Sequence, residues 1–214
     1  MKPNPARSEQ LRWPKVEEEE INPPEATEVE TILVRVSKRY RLPLVTAEQC
    51  ALRVGELQSL EWGDVDEQGC RFRLCRQATK RGKARWVPVP DWLMEAIADT
   101  CPREDRTAER RVFQGLTDDA LRNAMERTCK LAGIPHYTPH DLRHRRISLW
   151  VRERPIADVA AWVGHAKKSM TLDRYTHVMI GGELKTERIL ALLGRGGDDR
   201  VMTRPPEMTA ERLG

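Results

Sequence analysis

The sequence predicts an α+β domain that is mainly helical and contains a small antiparallel β-sheet. Through most of the chain, apolar residues recur at helical spacing in segments that open with a capping residue or a proline. Residues 69–90 instead alternate with period two on either side of a turn that is rich in lysine and arginine, which predicts a β-hairpin. Helices therefore dominate, and one hairpin supplies the sheet.

Composition limits the class of protein and the number of domains. The 214 residues are 39% apolar and 33% charged, which suits one sizeable domain with a core. No run approaches the roughly 18 apolar residues of a membrane span, and the N-terminus lacks an apolar signal core. The five cysteines are odd in number and irregularly spaced, which favours reduced thiols in a reducing compartment. We therefore expect a cytoplasmic protein with no membrane association.

Charge is distributed unevenly along the chain. Lys and Arg number 37 against 33 Asp and Glu, but residues 1–30 hold only four of the basic residues and eight of the acidic ones. The remainder therefore has 33 basic and 25 acidic residues. A basic body behind an acidic leader fits a polyanionic partner, although net charge alone does not separate DNA binding from ordinary solubility.

Proline content, charge and apolar periodicity divide the chain into three regions. Residues 1–26 contain five prolines and a run of four glutamates, which predicts a linker or arm. Residues 27–182 hold the periodic segments and form the main domain. Residues 183–214 predict a short helix and a loose tail.

Two capping boxes are predicted near the start of the main domain. Thr27-x-x-Glu30 opens a first helix, and Thr46-x-x-Gln49 opens a second. Arg53 falls inside that second helix among apolar residues. Since a buried arginine is costly unless it is paired, we expect Arg53 to reach a cleft, although an isolated arginine is more often a surface ion-pair partner.

The predicted hairpin is strongly basic. Residues 69–75 and 85–90 form its strands, and residues 80–84 its turn. No acid interrupts its cations, which are Arg71, Arg73, Arg76, Lys80, Arg81, Lys83 and Arg85. Such a run is usually a solvated face, but it can also lie along a nucleic-acid backbone.

The later helices have clear start and stop signals. Residues 91–100 and 117–131 are amphipathic, and Gly133 stops the second of them. Thr138 can cap the next helix, with Pro139 at its first position and Asp141 completing a capping box. Further helices are expected after Pro155, over residues 171–178, and after residue 182.

The helix that begins at Pro139 contains the most informative residues. His140 and Arg143 are three residues apart and project from one face near a helix start, a position that favours phosphate. His136, His140 and His144 are spaced by four, but Pro139 takes His136 off that face. No acid or cysteine completes a zinc site, so we expect no metal.

These motifs resemble a known family. His140-x-x-Arg143, then Gly164-His165, then Tyr175 resembles the C-terminal box of the tyrosine recombinases, the phage integrase family. Upstream, residues 51–57 resemble the family's first-arginine box, with Cys50-Ala51 where Thr-Gly is usual. Residues 77–82 resemble the hairpin that supplies a lysine, a role that falls on Lys80 with Lys83 as the alternative.

The resemblance implies the tyrosine-recombinase (DNA breaking-rejoining) catalytic fold and a set of site residues. The implied catalytic residues are Arg53, Lys80, His140, Arg143, His165 and Tyr175, with Glu56 in support. The basic residues expected to contact DNA are Arg76, Arg81, Lys83, Arg145 and Arg146.

The implied function is site-specific DNA recombination, in integration and excision. Tyr175 would attack a phosphodiester to form a 3′-phosphotyrosyl bond, His140 would accept its proton, and Lys80 would protonate the leaving 5′ oxygen. No metal, cofactor or ATP is expected. The alternatives are a type IB topoisomerase-like nicking-closing enzyme and a DNA-binding remnant with impaired catalysis.

The resemblance also implies partners. These are double-stranded DNA at attachment sites and, on synapsed DNA, three further copies of the chain in a homotetramer. Whether the chain is a monomer in the absence of DNA stays open. The DNA-clamping domain that precedes the catalytic domain in this family is not found in residues 1–26. The expected setting is the cytoplasm, in association with the nucleoid, for a protein of prokaryotic or phage origin.

Overall fold

The computed structural model describes residues 22–74, 84–164, 175 and 182–195. The α-helices in these ranges are α1 Ala26–Arg35, α2 Lys38–Gln49, α3 Val54–Ser59, α4 Asp91–Ala98, α5 Asp118–Ala132, α6 Pro139–Glu153, α7 Ile156–Val163 and α8 Thr186–Leu192. The strands are β1 Val65–Asp66, β2 Arg71–Leu74 and β3 Arg85–Pro88. The predicted α+β, mainly helical class is confirmed. None of the described helices combines the length and apolar character needed to cross a membrane.

The sheet is three-stranded and antiparallel, in the order β1-β2-β3. Phe72 lies opposite Val87, and both side chains are fully buried. Alternation along β3 places Arg85 on the same face as Val87. The hairpin strands are thus confirmed and β1 is an addition, whereas the hairpin tip, residues 75–83, lies outside the described residues.

Helix α6 occupies the centre of the fold. It packs against α2, α5 and α7, while α1 packs against α5 and α7 against β3. Fully buried apolar side chains of the core include Ile32, Leu44, Leu52, Leu57, Leu93, Leu121 and Ile147. Burial of α6 on several sides accounts for the enclosed position of its polar residues.

The start of α6 follows the predicted capping. The backbone N–H and the hydroxyl of Thr138 each lie 2.7 Å from Oδ2 of Asp141, and Pro139 is the first helical residue. Gly133 ends α5 with φ of 67°, and Gly164 ends α7 with φ of 73°. Both turns use a left-handed backbone conformation that glycine adopts without strain.

The prediction that a helix begins at Thr46 is wrong. Thr46 lies in the last turn of α2, where its hydroxyl donates to the carbonyl oxygen of Leu42 at 2.8 Å. Residues 43–49 are all buried, because this end of α2 packs against α6. The chain leaves the helix through Ala51, whose φ is 48°, and Arg53 becomes the N-cap of α3.

The first helix also starts earlier than predicted. Glu25 is its N-cap, and the backbone N–H of Glu25 donates to Oε2 of Glu28 at 2.8 Å. The box therefore lies two residues before Thr27-x-x-Glu30, and Thr27 belongs to the first turn of α1.

Candidate active site

Four elements meet at the candidate site: the start of α3, the first turns of α6, the C-terminal end of α7 and the start of β3. The link between them is made largely by arginine side chains and backbone carbonyls. Arg143 of α6 donates to the carbonyl oxygens of Ala51, before α3, and of Val163, in α7, the latter at 3.0 Å. Only 2% of Arg143 is exposed, so its guanidinium group fixes the junction of these elements from inside.

Arg53 lies beside Arg143 but is much more open. Its Nη1 donates to Oε1 of Glu56 at 3.0 Å and to the carbonyl oxygen of Val163 at 3.5 Å. Both guanidinium groups therefore converge on Val163. The side chain of Arg53 is 38% exposed, so a ligand can approach it from solvent.

Glu56 neutralises part of this positive charge. It accepts hydrogen bonds from the backbone N–H of Arg53 at 2.9 Å and from Nη2 of Arg85 at 2.7 Å, and it lies 3.9 Å from Nη1 of Arg143. Burial favours the neutral acid, but Arg85, the Arg53 N–H and Arg143 outweigh it and hold the pKa of Glu56 below its usual value. Glu56 is therefore a carboxylate at neutral pH, and its supporting role stays a prediction.

Arg85 has a role here that the sequence reasoning missed. Its Nε donates to the carbonyl oxygen of Trp162 at 2.7 Å while Nη2 holds Glu56, and only 12% of its side chain is exposed. The signal that could have found it is strand alternation, which places Arg85 on the buried face with Val87. Arg85 thereby ties β3 to α7 and orients the carboxylate under the two other arginines.

Arg143 remains a cation in this environment. Burial and the neighbouring Arg53 guanidinium lower the pKa of Arg143 to about 10, with Glu56 and Tyr175 acting in the opposite direction. Three guanidinium groups around one carboxylate leave an excess of positive charge in the described part of the site. Planar guanidinium forks of this kind match the geometry of phosphate oxygens.

Tyr175 lies against the same helix. Only 2% of the residue is exposed, and its hydroxyl is 2.6 Å from Nδ1 of His144. His140 is exposed, and its ring contacts the ring of His144 edge-on, with centroids 4.4 Å apart. The structure therefore brings Tyr175, His140, Arg143, Arg53 and Glu56 into one region, and it adds His144 as the hydrogen-bond partner of the phenol.

Comparison with known proteins assigns the family. The sequence profile described as the phage integrase family matches residues 25–180. The chain belongs to this family. The resemblance to the tyrosine recombinases seen in the sequence is thus confirmed, over most of the main domain.

Curated relatives of this integrase-family chain are longer than it is. It is 33% identical to tyrosine recombinase XerC of Corynebacterium efficiens over 135 residues, covering 59% of this chain and 42% of that protein. It is 27% identical to the putative prophage phiRv2 integrase of Mycobacterium tuberculosis over 203 residues, covering 85% of this chain and 53% of that protein. The chain thus spans about half the length of these relatives.

Solved structures agree on the fold. The crystal structure of XerA recombinase superposes with a TM-score of 0.60 at 21% identity, covering 79% of this chain and 63% of that one. The Tn1549 transposon integrase in complex with transposon right end DNA gives 0.61 at 18% identity, covering 76% and 64%. The catalytic domain of bacteriophage HP1 integrase gives 0.52 at 21% identity, covering 71% and 83%. The predicted tyrosine-recombinase catalytic fold is confirmed.

Several predicted site residues lie outside the described part of this integrase-family domain. They belong to the hairpin tip and to the segment after Gly164, and they are Arg76, Lys80, Arg81, Lys83 and His165. Their assignments stay predictions.

The expectation that Arg145 and Arg146 contact DNA is corrected by their burial. Arg145 is fully buried and Arg146 is 4% exposed. Nη1 of Arg145 lies 2.5 Å from Oε1 of Glu48, and Nη2 of Arg146 lies 3.1 Å from Oε2 of the same carboxylate. Arg146 also pairs with Glu183, before α8. Both arginines therefore hold α6 to α2 and to the segment before α8 instead of facing a ligand.

Proposed function

We propose that this chain is the catalytic part of a site-specific tyrosine recombinase, which cuts and rejoins double-stranded DNA at attachment sites in the integration and excision of a mobile element. The observation that supports the proposal most is the buried hydroxyl of Tyr175, which is hydrogen-bonded to His144, the residue next to Arg143. This contact supports the proposal because it joins the phenol, our candidate nucleophile, to a ring nitrogen of the helix that also holds Arg143.

The arginines would supply the charge that the reaction needs. In-line attack on a phosphodiester increases the negative charge on its two non-bridging oxygens. Arg53, open to solvent, and Arg143, fixed from within, can donate to those oxygens, while Glu56 and Arg85 keep the pocket in shape. Preorganised donors of this kind each contribute about 10²–10³ in rate.

Tyr175 would be the nucleophile. Its hydroxyl would give its proton to a histidine of α6 while the phenolic oxygen bonds to phosphorus and forms a 3′-phosphotyrosyl link. The 5′ oxygen leaves and takes a proton from Lys80. His140 and His165 would donate hydrogen bonds to the phosphate. The covalent link conserves the energy of the broken bond, so that a second 5′ hydroxyl can reverse the step without ATP.

The names of the relatives support this assignment. XerC is called a tyrosine recombinase, the phiRv2 protein a putative prophage integrase, and the Tn1549 integrase was solved with transposon DNA. We propose double-stranded DNA as the partner and a homotetramer as the active assembly on synapsed sites, in the nucleoid of a prokaryotic cell. Because the chain spans about half of these relatives, we expect it alone to bind DNA weakly, with a steep dependence on salt.

A covalent-trapping experiment tests the proposal. The chain is incubated at low salt with a pool of duplexes that have randomised central sequences and a nick beside each candidate cleavage position, so that the cleaved fragment diffuses away. Protein–DNA adducts are recovered after denaturation in SDS, and the recovered DNA is sequenced and resynthesised as a single suicide duplex. Wild-type protein should form an adduct on it, and Tyr175→Phe should form none.

Tyr137→Phe is the matched control. Tyr137 is also buried, but its hydroxyl donates to Glu28 at 2.8 Å, away from the arginines, so the adduct should persist. DNA retardation with no adduct would contradict the proposal and leave a DNA-binding remnant. Relaxation of plasmid without recombinant products would instead indicate a topoisomerase-like enzyme.

A further inference from the structure

We infer that His144, one helical turn after the residue that the sequence favoured, accepts the phenolic proton of Tyr175 during strand cleavage. The inference rests on the proposed function and deepens it. Its basis is the 2.6 Å distance between Nδ1 of His144 and the hydroxyl of Tyr175. At that distance the phenol and the ring nitrogen share a hydrogen bond. In the tautomer with its hydrogen on Nε2, Nδ1 is the acceptor, so the phenolic proton has an acceptor before any phosphate arrives.

The surroundings keep this contact in place. His144 is 8% exposed and Tyr175 is 2% exposed, so bulk water does not compete for either group. The preceding residue, Arg143, is anchored to the carbonyl oxygens of Ala51 and Val163, which fixes the backbone that presents the imidazole. A proton acceptor must lie within hydrogen-bond reach of the proton it takes, and His144 meets that requirement in the described structure.

His140 is less suited to the same task. It is the second residue of α6, where the free N–H groups and the positive end of the helix dipole oppose a protonated imidazole. It is also exposed, and it contacts His144 edge-on with ring planes at 79°. In that position His140 supports the ring of His144 and faces outward, which suits a neutral hydrogen-bond donor to phosphate.

Each bond formed in the proposed step is matched by a bond broken. With its hydrogen on Nε2, the imidazole of His144 accepts the phenolic hydrogen at Nδ1 while the phenolic oxygen bonds to phosphorus. The bond from phosphorus to the 5′ oxygen breaks, and the 5′ oxygen takes a proton from Lys80, as the proposed function has it. Unperturbed phenol and imidazole differ by about three to four pKa units, so the transfer accompanies bond formation. Rejoining reverses each movement, and Tyr175 recovers its proton from His144.

Two asparagine variants test the assignment. His144→Asn keeps an acceptor oxygen near the position of Nδ1 but cannot take up a proton, and His140→Asn is the matched change one turn earlier. Single-turnover cleavage of the suicide duplex should fall by about 10²–10⁴-fold in His144→Asn. His140→Asn should lose less, and both variants should keep the circular dichroism of the wild type. His144→Asn should also keep the DNA affinity of the wild type, because His144 is buried against Tyr175. If His144→Asn does not fold, His144→Gln serves as the second variant.

A more acidic nucleophile separates a chemical role from a structural one. With 3-fluorotyrosine incorporated at position 175, the phenol gives up its proton more readily, so the loss caused by His144→Asn should shrink. An equal loss in both backgrounds would overturn the inference, because a packing defect does not depend on phenol acidity.

Other results would also overturn it. Unimpaired cleavage by His144→Asn, together with a large loss in His140→Asn, would give the role to His140. Faster cleavage by His144→Asn would make the contact an inhibitory latch. In all of these cases the wild type still forms its adduct and the proposed function stands, whereas an absent wild-type adduct overturns both.

Discussion

Replacing Glu48 with alanine should destabilise the domain more than any exposed acid-to-alanine change. Glu48 is fully buried near the end of α2, and it receives Arg145 and Arg146 from α6. Its Oε2 also accepts a hydrogen bond from the amide of Gln49 at 2.7 Å. Removal of this carboxylate leaves two guanidinium groups in the interior with reduced compensation.

The structure sets the expected magnitude. Removal of one partner from a buried ion pair costs about 3–5 kcal/mol, because the other charge stays desolvated. Arg146 retains Glu183, and Arg145 retains the carbonyl oxygen of Gly182 at 2.6 Å, which keeps the loss within that range. For a chain of this size, the melting temperature should fall by roughly 6–20 °C.

Urea unfolding followed by circular dichroism measures the effect directly. The matched control is Glu183→Gln, because Glu183 is 41% exposed and pairs with the same Arg146, so that change should cost about 1 kcal/mol or less. A triple variant with methionine at positions 48, 145 and 146 should recover much of the loss, since apolar replacement removes the buried charges together. Equal stability of Glu48→Ala and Glu183→Gln would refute the reasoning.

Substitutions around Glu56 should affect cleavage and stability in different ways. Arg85→Met should slow cleavage of the suicide duplex by about 10- to 100-fold through loss of the 2.7 Å contact to Glu56, whereas Arg73→Met, at a 53% exposed side chain, should leave the rate unchanged. Gly164→Ala and Gly133→Ala should each lower the free energy of unfolding in urea by about 1–2 kcal/mol, because both glycines have positive φ. Only Gly164→Ala should also slow cleavage, since its new Cβ would meet the Arg85 side chain at 3.1 Å. Folding lowers the pKa of Glu56, so its carboxylate stabilises the domain at pH values above the ordinary pKa of 4.5 and loses this effect as the pH falls. The difference in unfolding free energy between wild type and Glu56→Gln, measured in a pH series, should therefore shrink below pH 4.5.

Local signals were enough to predict the helix that holds the site. Thr138, Pro139 and Asp141 specify the start of α6 through backbone chemistry that depends on neighbouring residues alone. The hairpin strands followed for the same reason, because period-two alternation is visible within one segment. The family resemblance added Arg53 and Glu56, which spacing by itself could not have brought next to Arg143.

Contacts between distant segments explain what the sequence reasoning missed. Arg145 looks like a surface cation in any window of sequence, since its partner Glu48 is 97 residues away. Thr46 has the residue types of a helix start, but tertiary burial makes it the end of a helix. His144 was considered only with the other histidines, because nothing local indicates that Tyr175 lies against it.

The burial of the arginines also implies that the two predicted phosphate ligands differ in what they can contribute. A guanidinium group has five N–H donors, and Arg143 already gives two of its nitrogens to the carbonyl oxygens of Ala51 and Val163. The positive charge of Arg143 therefore acts from a fixed position, and fewer of its N–H donors are left for a ligand. Arg53 is 38% exposed and holds Glu56 through Nη1, so it can turn its remaining donors toward an incoming oxygen. Under the proposed function, Arg53 would bind the phosphate on arrival, and Arg143 would stabilise the charge that develops as Tyr175 attacks.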